Sequence, residues 1–281
     1  MNLTAIRQIS SQTFKDSIRA KWLLVFSAVY FFMAINIPIL IVLGAVGAVA
    51  AGDIGANPVQ AYLTTFVSFA YPYIPLLTLP MGAAIIVDER ESGTLQYIMS
   101  NPISKSDFLL GRLIGMLVAT TLVIMFGFGI ATVFVYGTDY SLYPPLILSS
   151  LAAAALNWIV LGLAMIISVM SKRKSTAIGI AIFVWLGLTV ITNLGELAVY
   201  VNLKAGAWAS MLPALLNPID TAQNYAVLAL GNDLRSFSST GMISTYLLGA
   251  NTGLVLGSVL TAWLVGVICI CFLIFRHQDV I

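Results

Sequence analysis

Long apolar runs separated by short polar punctuation dominate this chain. Six are long enough to cross a bilayer: Trp22 to about Ala50, Tyr62–Val87, Phe108–Tyr136, Pro144–Met170, Ile178–Val201 and Gly253–Phe275. An α-helix rises about 1.5 Å per residue, so each run crosses a hydrocarbon core of about 30 Å with length left for tilt. The pattern predicts an all-α polytopic membrane protein with six transmembrane helices in one domain over residues 1–281. Residues 1–21 are too polar to span. Leu3, Ile6, Phe14, Ile18 and Trp22 form one drifting helical stripe, with Arg7, Lys15 and Arg19 elsewhere. That predicts an amphipathic helix lying in the interface. The alternative is a frayed leader whose charges only set topology.

Between the second and third runs lies VDERESGTLQYIMSNPISKSDFLLGR, Val87–Arg112, with seven of the 24 formal charges. A charge at the bilayer centre costs about 2.5–3.5 kcal/mol even on the lenient insertion scale, so this stretch lies outside the membrane. Asp88, Glu89 and Glu91 are expected to open a short helix, where carboxylates complement the N-terminal dipole. Thr94–Ser100 continues it, with Leu95, Ile98 and Met99 on one side for burial. Pro102 breaks the chain, and Ser104 with Asp107 makes a capping-box-like start for the next helix. Arg112 is expected to snorkel to the headgroups. Residues 88–106 thus read as a short amphipathic helix joined to spans two and three. A solvated loop would explain the charges but not the apolar side.

The connections on the other side are unequal. Residues 202–252 form the long one, where Pro213 and Pro218 interrupt an apolar stretch into two pieces of about ten residues. Such pieces suit a re-entrant or interfacial helical pair covered by protein; the competing reading is a seventh span over Trp208–Leu230. Gly249, Gly253, Gly257 and Thr261, and likewise Gly111, Gly115 and Ala119, recur at the spacing that lets helix backbones approach, inside one subunit or between two. Pro72, Pro75 and Pro80 each remove a helix donor, predicting a kink or local unwinding in the second span. That kink is either a moving hinge or a shaped packing surface.

Composition agrees with the pattern: 60% of residues are hydrophobic and 9% charged, with mean hydropathy +0.99. Soluble domains carry about 25% charged residues, so that class is excluded. Eleven of the 13 basic residues fall on one side of the six-span arrangement, leaving only Lys204 and Arg235 on the other. By the positive-inside rule both termini and the charged stretch are cytoplasmic. The first apolar run is too long for the core of a signal peptide, so cleavage is not expected. Cys269 and Cys271 form neither a disulfide framework nor a metal spacing.

No catalytic constellation is visible. His277 is the single histidine, and no HExxH, Gly-x-Ser-x-Gly or Gly-Lys dipeptide occurs, which excludes a phosphate-binding Walker loop. No metal or cofactor site is read in the chain. Asn157 falls near the middle of the fourth run, where it either makes an interhelical hydrogen bond of about 0.6–2 kcal/mol or touches a substrate on its pathway. Asn36 and Glu196 lie toward the outer surface. With no charge at the midplane, an ion-coupled or proton-coupled transporter is disfavoured.

Glu89, Arg90, Glu91, Gly93, Thr94 and Leu95, followed by Pro102 and Ser104 and then Gly111 and Arg112, resemble an element of type-2 ABC transporter membrane subunits. The group they resemble is the multicopper-enzyme maturation (NosY-like) permeases. Lys15–Leu24 is similar to that family's entry into its first span, and Leu215–Asp220 to the Asn-Pro turn before its last. The resemblance runs over essentially the whole chain. It implies a permease in a prokaryotic cytoplasmic membrane, without enzymatic activity, pairing with a second copy and with cytoplasmic ATPase subunits in a 2:2 complex. ATP and magnesium would sit in the ATPase. It also implies that Glu89–Leu95 is the coupling helix, that the N-terminal helix with Arg7, Lys15 and Arg19 is a second docking surface, and that Asn217 and Pro218 belong to an outer gate. The surroundings are lipid and protein, not nucleic acid. Two alternatives stay open: a complex transmitting motion to an extracytoplasmic partner, as in maturation or immunity systems, and an ATP-independent channel or scaffold.

Overall fold

The apolar runs fold as helices that end at glycine, proline or clustered charge. The computed structural model describes residues 3–19, 21–42, 58–100, 103–136, 143–191, 215–231, 234 and 239–277. Among these every regular element is helical: α1 (Leu3–Arg19), α2 (Lys21–Val42), α3 (Pro58–Glu91), α4 (Thr94–Met99), α5 (Lys105–Tyr136), α6 (Tyr143–Met170), α7 (Lys174–Leu186), α8 (Pro218–Ala229), α9 (Ser239–Leu248) and α10 (Thr252–His277). A π-helical turn, Gly187–Ile191, continues α7, and a 3-10 turn, Gly249–Asn251, joins α9 to α10.

Four segments are long and apolar enough to cross a membrane: Thr64–Glu91, Lys105–Gly129, Leu146–Met170 and Thr245–Phe275. They correspond to the second, third, fourth and sixth apolar runs. The first and fifth appear as shorter apolar helices over their described residues, Leu23–Met33 and Lys174–Val190. Glu196, Trp208 and the first half of the long connection lie outside the described residues.

α6 is the centre of the bundle, packed by α3, α5, α8 and α10. Its run of Ala152, Ala153 and Ala154 keeps side chains short where neighbours approach, and Leu156, Ile159 and Val160 fill the space below. Near the middle, Thr78 donates to Asn157 Oδ1 at 3.1 Å, and Asn157 Nδ2 donates to Thr120 at 2.7 Å. Thr120 in turn donates to the Met116 carbonyl at 2.9 Å. A single buried amide therefore pins α3, α5 and α6 together, the interhelical bond expected of Asn157. Toward one end Tyr30, Phe66 and Phe128 pack edge to face across α2, α3 and α5, with Phe66–Phe128 centroids 5.1 Å apart.

Three prolines do not unwind α3, which runs as one helix through Pro72, Pro75 and Pro80. α8 is 12 residues long, about 18 Å and too short to span. It starts where Asn217 caps it and Pro218 occupies the first turn, a position that needs no backbone donor. Ile219, Ala222, Ala226 and Val227 are buried against α3, α6 and α10. Over its described part the Trp208–Leu230 stretch is thus broken at Asn217, and its helix ends at Ala229.

Candidate functional site

The charged stretch does not open a helix of its own. Asp88, Glu89, Arg90 and Glu91 are the last turn of α3, because the helical pattern of the apolar run carries through Val87 without a break. The turn comes after them. Gly93, at φ 74°, donates to the Arg90 carbonyl at 3.2 Å and lets the chain reverse into α4. The carboxylates therefore sit at the unfavourable end of the α3 dipole, and each is met by a donor from another element.

Consecutive residues on a helix point about 100° apart, so four charges in a row reach out in four directions. Asp88 accepts from Lys174 Nζ at 2.8 Å. Glu91 accepts from the Lys174 backbone N–H at 3.1 Å, one of the unpaired donors at the start of α7. Arg90 donates to the carbonyls of Ser171 at 2.8 Å and Val169 at 3.3 Å, at the end of α6. Glu89 pairs with Arg112 of α5. One turn above, Ser168 of α6 accepts from the Ile86 and Val87 N–H groups at 3.0 and 3.2 Å. The Glu-Arg-Glu sequence is thus a hub tying α3 to α5, α6 and α7.

Arg112 corrects a second expectation. It does not snorkel to the surface but points inward, its side chain 10% exposed and that of Glu89 12%. Besides Glu89 it donates to Thr13 of α1 at 3.0 Å, lies 4.0 Å from Asp16, and stands 5.8 Å from the centroid of the Phe108 ring. The cause is the close approach of α1. A Cβ on Gly111 would lie 2.7 Å from the Ile9 side chain, and one on Gly115 would lie 2.6 Å from the Ser10 carbonyl. α1 lies across the route Arg112 would take to the headgroups. The Gly111 and Gly115 spacing therefore serves packing within the chain.

The same contact decides which face of α1 is buried. Ala5, Ile6, Thr13 and Ser17 are covered, with Ile9 packed beside them. Leu3 and Ile18, placed by sequence on one stripe with Ile6, are exposed, because the face of α1 laid on the glycine seam of α5 is the one carrying Ile6, Ile9 and Thr13. Arg7, Lys15 and Arg19 are exposed, and Arg7 and Lys15 edge an open groove with Thr4, Gln8, Ser11 and Gln12.

α4 has the two sides that its spacing predicts. Leu95 is 1% exposed, inserted among Ile86, Phe108, Leu109 and Phe275, and Ile98 and Met99 pack beside it. Thr94, Gln96, Tyr97 and Ser100 face outward, with Tyr97 76% exposed. Ser104 accepts from the Asp107 N–H at 3.1 Å, the expected cap of α5. Of the six residues singled out in this element, Glu89, Arg90 and Leu95 turn toward the bundle, Glu91 is exposed but bonded to the start of α7, and Gly93 and Thr94 face out. Gln96, Tyr97 and Ser100 were missed, although they are the helical complement of Leu95, Ile98 and Met99.

At the opposite end of the bundle Asn217 is buried, accepts from the Ile219 N–H at 3.0 Å and donates to the Leu188 carbonyl at 2.8 Å. Pro218 is buried beside it. This joins α8 to the π-helical turn after α7. Among the described residues no three His, Cys, Asp or Glu side chains gather to hold a metal.

Comparison with known proteins agrees with this architecture. The profile described as "ABC-2 family transporter protein" matches residues 7–280. The chain is similar to the protein described as "Probable ABC transporter permease protein NosY" of Stutzerimonas stutzeri, 28% identical over 286 residues, covering 98% of this chain and 99% of that one. The protein of the same description from Pseudomonas aeruginosa is 28% identical over 219 residues, covering 75% of this chain and 78% of its own.

Proposed function

This chain belongs to the ABC-2 family of transporter proteins, and from that premise we propose how its charged joint works. Family membership makes it the multi-pass membrane subunit of an ABC transporter, with ATP hydrolysed by a cytoplasmic partner. In our reading it has six spans with both termini and the charged joint in the cytoplasm, supported by the bias of its basic residues. α4 is the coupling helix. Its outward face, Thr94, Gln96, Tyr97 and Ser100, seats in the ATPase, and the half-buried Glu89 and Arg90, with the exposed Glu91 bonded to the start of α7, convert its displacement into movement of α3, α5, α6 and α7. The N-terminal helix offers Arg7, Lys15 and Arg19 as a second contact. Two copies and two ATPase subunits form the working complex, in which the cap at Asn217 and Pro218 contributes to an outer gate and the cycle extrudes its cargo.

The observation that carries this reading is a short helix exposed on one side, buried through Leu95 on the other, and joined at Gly93 to a last turn of α3 that is charge-locked to α5, α6 and α7. A solvated loop would have no such locking. Affinity purification in mild detergent tests it. The wild-type chain retains an ATPase in 2:2 ratio, and Tyr97→Ala weakens that retention without changing the thermal stability of the isolated permease. A chain purified alone, or a Tyr97→Ala variant that retains the ATPase fully, refutes it. A second reading, force transmission to an extracytoplasmic partner, draws on the length of the 202–252 connection. Flux in reconstituted vesicles separates it from extrusion.

A further inference from the structure

Pro72 has no backbone N–H, so the carbonyl four residues earlier, that of Ser68, loses its intrahelical donor. The side-chain amide of Gln223 on α8 supplies one, donating to the Ser68 carbonyl at 3.2 Å and lying 3.4 Å from that of Val67. A second side chain reaches the same stretch: the Trp185 indole of α7 donates to the Pro72 carbonyl at 3.0 Å. α8 is in turn held to the end of α7 through Asn217 and the Leu188 carbonyl. Pro72 therefore presents the Ser68 carbonyl as an acceptor to α8, and α7 reaches a carbonyl of the same stretch of α3. Along α3, Ser68 is twenty residues from Asp88, about 30 Å at the helical rise.

We propose that α3 is the rod carrying movement from the charged joint to α8, and that Gln223 is the positioning residue that fastens the rod to α8 at the carbonyl Pro72 frees. This rests on the reading of the joint as the point where ATPase force enters. A helix with its backbone bonds complete would offer α8 only side-chain packing, which slides. A hydrogen bond to a backbone carbonyl fixes the register between the two. On this view the proline segment is not a hinge at which α3 bends freely but a place where it is gripped.

The test uses the permease–ATPase complex in nanodiscs, with Cys269→Ala and Cys271→Ala and a reporter thiol at Ala229→Cys on the last residue of α8. The rate of labelling by a water-soluble maleimide is compared without nucleotide and with magnesium-ATP and vanadate. The unmodified latch gives a nucleotide-dependent rate. Gln223→Leu loses that dependence while the ATPase stays bound and basal hydrolysis persists. Gln223→Glu, which keeps the shape but has no donor when ionised, loses it as well; loss of packing alone would spare this variant. Retained dependence in either variant overturns the inference. So does a nucleotide-independent rate in the complex with intact Gln223 and bound ATPase, which leaves the coupling reading standing. Failure to recover any ATPase removes that reading and this inference with it.

Discussion

Replacing Arg112 by alanine is the sharpest test of the joint. Arg112 and Glu89 are both nearly buried, and removing one partner of such a pair leaves an uncompensated charge, at a cost of about 3–5 kcal/mol. The variant also loses the donor to Thr13 and the contact that holds Asp16 near the joint. The wild-type pair is itself imperfect: Glu89 Oε2 and Arg112 Nε are buried with no hydrogen-bond partner among the described residues. A pair of that kind contributes less to net stability than its breakage costs, since an apolar replacement of both partners is often neutral or stabilising. Arg112→Ala should therefore unfold at lower SDS content in mixed micelles, followed through tryptophan fluorescence. The double variant Glu89→Met/Arg112→Met should recover most of the loss, a strongly non-additive cycle. Coupled hydrolysis should fall in both, because the apolar pair restores packing but not the directional link to α1. If Arg112→Ala lies within about 0.5 kcal/mol of wild type, the range of an ordinary surface substitution, the buried joint is wrong and Arg112 is at the surface.

Other substitutions probe separate links. Gly115→Leu would drive a side chain into Ser10 and Thr13, so α1 should leave α5 and its amides should lose protection in hydrogen exchange; unchanged protection refutes the close seam. Asn157→Ala removes two buried interhelical bonds, and micellar unfolding should register about 1–2 kcal/mol, the scale of such bonds in membranes. Leu95→Ala empties a site that is 1% exposed. It should cost about 2–3 kcal/mol and increase proteolysis between α4 and α5, whereas an α4 that is merely solvated would show neither.

Much of the helical scaffold follows from local rules. Val87–Arg112 was readable as lying outside the membrane, with Leu95, Ile98 and Met99 on one face, because a 3.6-residue period assigns sides without reference to any neighbour. Ser104 was readable as a cap for the same reason, since caps involve residues two or three apart; the cap by Asn217 is seen only in the structure. The start of α4 was misplaced. Acidic residues favour a helix N-terminus, and that preference pointed to a new helix at Asp88. Arg112 and Lys174, distant in sequence, reverse the balance by supplying positive charge to what is in fact a C-terminus.

The sequence by itself determined an all-helical membrane subunit, the end of the bundle where its charges gather, and the amphipathic face of α4. The tertiary structure alone decided that Glu-Arg-Glu is a hub bonded to three other helices, that Arg112 is enclosed by α1, and that Gln223 reaches the carbonyl freed by Pro72. Periodicity reports which side of a helix a residue occupies. Its partner depends on how closely another backbone can approach, and glycines at 111 and 115 or a missing proline N–H acquire meaning only when that second helix is in place.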